Sequence, residues 1–186
     1  MYSAGEKKVD KIIEMSSSKS FSNSGQASPA LAAKTKYDVV IVGAGPAGLF
    51  AAYELVKHND TRSESPLRVL VVEKGNSMEN RKKSEVMCGV GGAGTFSDGK
   101  LHFTPVLSHE KMLHLYSISE YQTYLDYVDK IFTEFGVNSP YFPKNNGEVQ
   151  DLVDECKKHG IQLFIRRTRH VGSDILPGIM KNFSDF

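Results

Sequence analysis

Gly43, Gly45 and Gly48 stand at G-x-G-x-x-G spacing directly behind an apolar run, Val39-Val40-Ile41-Val42, and the acid Glu73 closes a second apolar run that starts at Val69. The chemistry these residues can do is to cradle a dinucleotide. Gly43 permits a tight strand-to-helix turn, Gly45 lets a pyrophosphate approach the backbone, and Gly48 lets the helix pack closely on the strand. Pro46 and Ala47 fall in the first helical turn, where free N–H groups and the positive dipole end meet phosphate; the missing N–H of Pro46 is not needed there. Glu73 can accept hydrogen bonds from ribose hydroxyls. Its charge opposes a 2′-phosphate, which leaves FAD or NAD as the ligand. The competing reading is a tight turn in an α/β protein that binds nothing.

Positioning these residues takes a βαβ unit. The run 39–42 is short enough for a buried parallel strand, residues 49–55 (LFAAYEL) favour helix, and 69–72 form the second strand. Lys74 opens a polar passage to Lys83, and then Gly89, Gly91, Gly92, Gly94 and Gly99 place five glycines within eleven residues. Backbone of that kind is entropically costly. It suits a place where phosphate or a flavin edge lies against main-chain N–H groups; the alternative is a surface loop.

At 186 residues the chain holds enough volume for a real core. Its 23 basic and 22 acidic residues give no electrostatic case for a nucleic-acid or membrane partner. No apolar run reaches the length of a membrane span. Basic clusters at Arg81-Lys82-Lys83 and Arg166-Arg167-Thr168-Arg169-His170 read as solvated surface or as phosphate contacts. Cys88 and Cys156 lie far apart with no C-x-x-C, which suits a reducing compartment. No metal-ligand spacing is present among the histidines. Residues 1–36 carry a Ser-rich tract that reads as a disordered extension, with Val9, Ile12, Ile13 and Met15 able to line a short helix. A transit peptide is disfavoured by Glu6, Asp10 and Glu14 and by the absence of Arg there, so a cytoplasmic location is expected.

The stretches GAGPAGLFAAYEL, VVEKG and GVGGAGTFSDGKL, with HGIQLFIRRTRHVGSD further on, resemble the predicted FAD-dependent dehydrogenases, flavoproteins with a glutathione-reductase-like FAD domain. The resemblance covers roughly residues 37–186 and implies FAD and a two-electron redox reaction, with no substrate named. Carried across, it implies that Gly43, Gly45 and Gly48 hold the FAD pyrophosphate and Glu73 the adenosine ribose. Gly91, Gly92, Ala93, Gly94 and Thr95 would pass near the flavin. Arg81 would pair with an FAD phosphate or stay solvated. Members of that family run on for several hundred residues, so the chain reads as an N-terminal portion.

Residues 119–135 show an amphipathic helix whose aromatic stripe suits a core. Residues 138–146 read as loop, 147–158 as a second helix capped by Gly160, 161–165 as a strand, and 175–186 as a helix. His170 can act as acid or base beside a flavin, or serve structure. Asp98 and Lys100 can orient flavin or substrate, although Asp98-Gly99 is equally a turn signal. Cys88 precedes the glycines and reads as a packed thiol or as a group near the flavin.

The expected fold class is therefore α/β: an incomplete Rossmann-like FAD-binding domain with a helical insertion and the start of a second domain. The expected divisions are 1–36, 37–110 and 111–186. The expected function is the FAD-binding part of a flavin-dependent oxidoreductase, with a small-molecule substrate or NAD(P)H as electron donor and catalytic residues unassigned. A non-catalytic dinucleotide-binding or regulatory fragment, and an NAD enzyme without flavin, are the rivals.

Overall fold

The computed structural model describes residues 11–15, 36–59, 66–82, 84–105, 115–144 and 146–186. Chain contacts divide them into two units, one of residues 1–96 with 180–186 and one of residues 97–179. The division after Phe96 falls earlier than the boundary expected after residue 110.

In the first unit, β2 (Val39–Val42) runs into α1 (Pro46–Asn59), which returns the chain to β3 (Val69–Glu73). Strands β2 and β3 pair in parallel, Val39 against Val69 through Val42 against Val72. A parallel pair needs such a crossover, and apolar side chains on both faces of the strands are its sequence sign. Pro46 is the first residue of α1, as its fixed φ favours. Ala52, Tyr53 and Val56 of the helix are buried, as are Val69 and Val71 of β3, and they form the core of this unit. Phe183 meets Phe50 and Tyr53 edge-on at 4.8 and 5.8 Å, extending that core.

Lys11–Met15 forms β1, antiparallel to β3, so the sheet order is β1-β3-β2. This corrects the expected short helix: the N–H and C=O groups along the free side of β3 are satisfied by a strand, and the ladder outweighs the weak local helical pattern. The remainder of the Ser-rich extension lies outside the described residues.

The second unit is built on a sheet of order β4-β6-β5, from β4 (Lys100–His102), β5 (Tyr141–Phe142) and β6 (Thr168–His170), all antiparallel. Two expectations change here. Residues 161–165 form no strand; the pairing lies at 168–170. The loop expected over 138–146 contains β5. Helix α2 (Ile118–Glu134) begins with a reciprocal capping box between Ser117 and Glu120. Its aromatic stripe is core at its C-terminal end, where Ile131 and Phe132 are buried, whereas Tyr124 is exposed and packs on Tyr116. Helix α3 (Asn146–Lys158) ends on a turn with Gly160 at φ +70°, the left-handed cap its sequence implies. Helix α4 (Leu176–Ser184) closes the chain.

One buried ion pair organises this unit. Arg169 donates to Asp129 Oδ1 and Thr133 Oγ1, each at 2.8 Å, and to the carbonyls of Ser139 and Val137 at 2.7 and 3.0 Å. The Tyr141 hydroxyl donates to the other Asp129 oxygen. Burial, with the hydrogen bond and charge of Asp129, raises the Tyr141 hydroxyl above its ordinary pKa of 10.0. The basic cluster at 166–170 is thus partly interior, since Arg169 is spent on structure.

Candidate functional site: two glycine elements joined by Glu73 and Arg81

The first glycine turn connects β2 to α1. A methyl group on Gly48 would sit 1.9 Å from the Gly43 carbonyl oxygen, so only glycine lets the helix start against this turn. Gly45 differs: a Cβ there meets nothing closer than the Gly92 Cα at 3.9 Å. Its neighbours therefore leave room for a side chain at this position. Leu49 N–H makes the first helical bond, to the Gly45 carbonyl at 3.0 Å. The N–H groups of Ala47 and Gly48, the two residues before it, have no intrahelical acceptor and lie at the positive end of a 14-residue helix. Pro46 and Ala47 are exposed there.

Glu73 closes β3 and is only 6% exposed. Its Oε2 accepts from Ala44 N–H at 2.8 Å, and its Oε1 accepts from Gly75 and Gly89 N–H, each at 3.0 Å. Burial would raise its pKa, but the three backbone N–H groups and the Arg81 charge outweigh it and hold the carboxyl below its ordinary 4.5. The acid read from sequence as a ribose acceptor thus also binds the first glycine turn to the second glycine loop. Lys74, next in the chain, is exposed.

Arg81 completes the junction and corrects the expectation of a solvated side chain. It is 7% exposed. Its Nη1 donates to the carbonyls of Gly89 and Val90 at 3.4 and 2.7 Å and to Thr95 Oγ1 at 3.3 Å. Nε and Nη2 donate to the Glu85 carbonyl at 3.3 and 3.2 Å, and Nη2 also to the Val86 carbonyl at 3.0 Å. The Phe96 ring lies 4.9 Å beneath the guanidinium. With every N–H group directed at the loop, the side chain shapes residues 85–95 instead of reaching outward.

The second loop is correspondingly fixed. Gly91 N–H donates to the Ala44 carbonyl at 2.8 Å, and Gly92 stacks its backbone against Gly45 and Pro46. Ala44, 0% exposed, therefore has its N–H held by Glu73 and its C=O held by Gly91. Residues Ala93–Phe96 form a single 3-10 turn in which Thr95 is buried while Ala93 and Gly94 are exposed. Sequence reasoning missed Gly75, where an added Cβ would come within 2.4 Å of the Gly89 nitrogen. It also missed Glu85, which accepts from the Asn76 amide at 2.9 Å and from Lys82 N–H at 3.0 Å. The only available signal was the glycine two residues after the acid.

Asp98, Lys100 and His170 lie in the second unit, where the S-D-G-K and R-H-V-G motifs meet. Val171 N–H donates to the Gly99 carbonyl at 2.8 Å, and His170 Nε2 to the Asp98 carbonyl at 3.2 Å. Cys88 is half-buried and forms no disulfide. Among the described residues no three His, Cys, Asp or Glu side chains form a metal-holding group, and no helix is long and apolar enough to cross a membrane.

Comparison with known proteins agrees with the fold. Residues 41–131 match the family described as NAD(P)-binding Rossmann-like domain. An uncharacterized protein of Clostridium beijerinckii (strain ATCC 51743 / NCIMB 8052) is 33% identical over 162 residues, covering 78% of this chain. The chain spans 22% of that relative's length. No solved structure matches the chain. The fold is a Rossmann-like dinucleotide-binding unit of mixed α/β construction.

Proposed function

We propose that this Rossmann-like chain is the FAD-binding part of a flavin-dependent oxidoreductase. The observation that carries the reading is the joining of two glycine elements into one backbone surface, with Gly91 hydrogen-bonded to Ala44 and Gly92 packed on Gly45. The pyrophosphate would rest on the N–H groups of Ala47 and Gly48, across Gly43 and Gly45. Gly91, Gly92, Ala93, Gly94 and Thr95 would face the remainder of the cofactor. Oε2 of Glu73 accepts one backbone bond, so it retains capacity for a ribose hydroxyl. Its negative charge favours a ribose without a 2′-phosphate. Arg81 and Lys74 serve this site differently: the first by shaping the loop, the second as an exposed cation beside it.

When bound, the flavin supplies the two-electron chemistry, while the protein binds and orients it. NAD(P)H or a small reduced molecule would be the electron source. The two unpaired cysteines suit a reducing, cytoplasmic setting. The substrate domain of the expected family is part of the same proposal, for a protein longer than this chain. The Rossmann-like match names NAD(P), which supports a second reading in which the dinucleotide is a nicotinamide and the second loop is structural.

Gly45→Ala tests the site directly. Its Cβ has room in the protein, so the fold should keep its stability while dinucleotide binding falls at least about tenfold through loss of backbone approach. Isothermal titration with FAD, and separately with NAD, measures the effect and distinguishes the two readings. Unchanged binding of both in Gly45→Ala would overturn this placement of the cofactor.

A further inference from the structure

We propose that the N-terminal strand β1 is a positioning element of the dinucleotide site: it holds Glu73 in place, so that dinucleotide affinity depends on residues 11–15. Its bearing on the ligand rests on the reading of Glu73 as the ribose acceptor.

The two ladders on β3 stop at different places. Pairing with β2 ends at Val42 against Val72, and Gly43 N–H then donates to the Val72 carbonyl at 2.7 Å. Glu73 stands one residue beyond. On the other side the register with β1 runs a step further, from Met15 against Val69 to Lys11 against Glu73. Among the described residues, β1 is therefore the only strand paired with Glu73 itself. Without it β3 is bare along that side, and an unpaired strand end is where fraying starts.

Glu73 tolerates little movement. Its carboxylate accepts from three backbone N–H groups on different stretches of chain, Ala44 at 2.8 Å and Gly75 and Gly89 at 3.0 Å each. Such bonds lose strength as their geometry departs from linear, so all three are met together only while the Glu73 backbone stays in place. A ribose hydroxyl makes the same demand, since a binding group has to be held within about 0.5 Å of its working position. The direction of β1 adds a second argument. It runs antiparallel to β3, so its first residue lies at the carboxyl ends of the parallel strands, where open α/β sheets bind ligands. An extension that reads from sequence as lying outside the domain thereby enters the sheet at the site.

In the whole chain, Ile12→Pro/Ile13→Pro breaks the β1 ladder: successive N–H groups of a strand point to opposite sides, so one of the two donors lost faces β3. Amide exchange followed residue by residue separates positioning from general stability. The amides of Ala44 and Gly89, which bond to Glu73, should exchange at least about tenfold faster, while those of Ala52 and Val56 in α1 stay within about twofold. Isothermal titration with FAD and with NAD should show dinucleotide binding weakened about tenfold. Ile12→Val/Ile13→Val, which keeps the strand propensity, should match the wild type in both readings. Ile13→Gly, which loosens the strand and keeps its N–H, replaces the proline variant if that does not fold. Exchange that rises equally at Ala52 and Val56 would reduce β1 to a stabiliser of the fold and overturn the inference. Unchanged exchange at Ala44 and Gly89, or a dinucleotide bound as tightly as by the wild type, would overturn it too. A wild-type chain that takes up neither FAD nor NAD would overturn the cofactor reading, and the exchange rates alone would then decide the role of β1.

Discussion

Replacing Glu73 by glutamine isolates the junction between the two glycine elements. The amide keeps one acceptor oxygen and presents an NH2 group where the second carboxylate oxygen stood. In its better orientation the oxygen serves Gly75 and Gly89, and the NH2 faces the N–H of Ala44, a residue with no solvent exposure. An unsatisfied buried donor costs about 1–3 kcal/mol. Loss of charge from the two retained bonds adds roughly 0.5 kcal/mol each. A destabilisation of about 2–4 kcal/mol follows, a large share of the ~5–15 kcal/mol typical of a domain. Urea unfolding followed by far-UV circular dichroism measures it. The pH dependence adds a second signature. The Glu73 carboxyl is held below its ordinary 4.5, so its stabilisation is complete above that value and is lost as pH falls through the lower folded value. Glutamine does not titrate, so the gap between the proteins should stay flat from pH 8 down to about 5 and close in acid. A gap under about 0.5 kcal/mol at neutral pH, or one that persists unchanged into acid, would refute the reasoning.

Three further outcomes are expected. Gly48→Ala, with its Cβ 1.9 Å from a backbone oxygen, should unfold the first unit or cost more than about 3 kcal/mol, whereas Gly94→Ala, with open space around its Cβ, should stay within about 0.5 kcal/mol in the same urea titration. Arg81→Lys keeps the charge but cannot reach the carbonyls of Glu85, Val86, Gly89 and Val90 together, so thermal melting should show a loss of about 2–4 kcal/mol, and near-neutral behaviour would refute the clamp. Asp129→Ala leaves Arg169 buried without its countercharge, and chemical denaturation should register about 3–5 kcal/mol.

The βαβ unit was legible because each of its parts is local: an apolar run, glycines at fixed spacing, Pro46 at a helix start and an acid at a strand end. Helices α2 and α3 were legible through periodicity, and the turn after α3 through Gly160. The short strands were not. Thr168-Arg169-His170 and Lys100-Leu101-His102 have no apolar pattern, and their pairing is set by partners about seventy residues apart, while the more strand-like 161–165 stays unpaired. Strand β1 escaped notice because its partner edge belongs to β3, more than fifty residues later. Within the site, glycine positions announced themselves and side-chain employment did not. Glu73 and Arg81 were singled out for their charges, yet all their bonds but the one from Arg81 to Thr95 Oγ1 go to backbone groups whose approach depends on the folded loop.

Ala44 carries a consequence for motion. With its N–H committed to Glu73 and its C=O to Gly91, neither glycine element can open without breaking a bond that the other also uses. The amides of Ala44, Gly89 and Gly91 should therefore exchange with solvent deuterium as one cooperative unit, sharing a single opening free energy. A ligand resting on the first turn would slow exchange in the second loop as well. The protein would register a ligand on the first turn some forty-five residues further along the chain by a change of protection, with no displacement of the backbone.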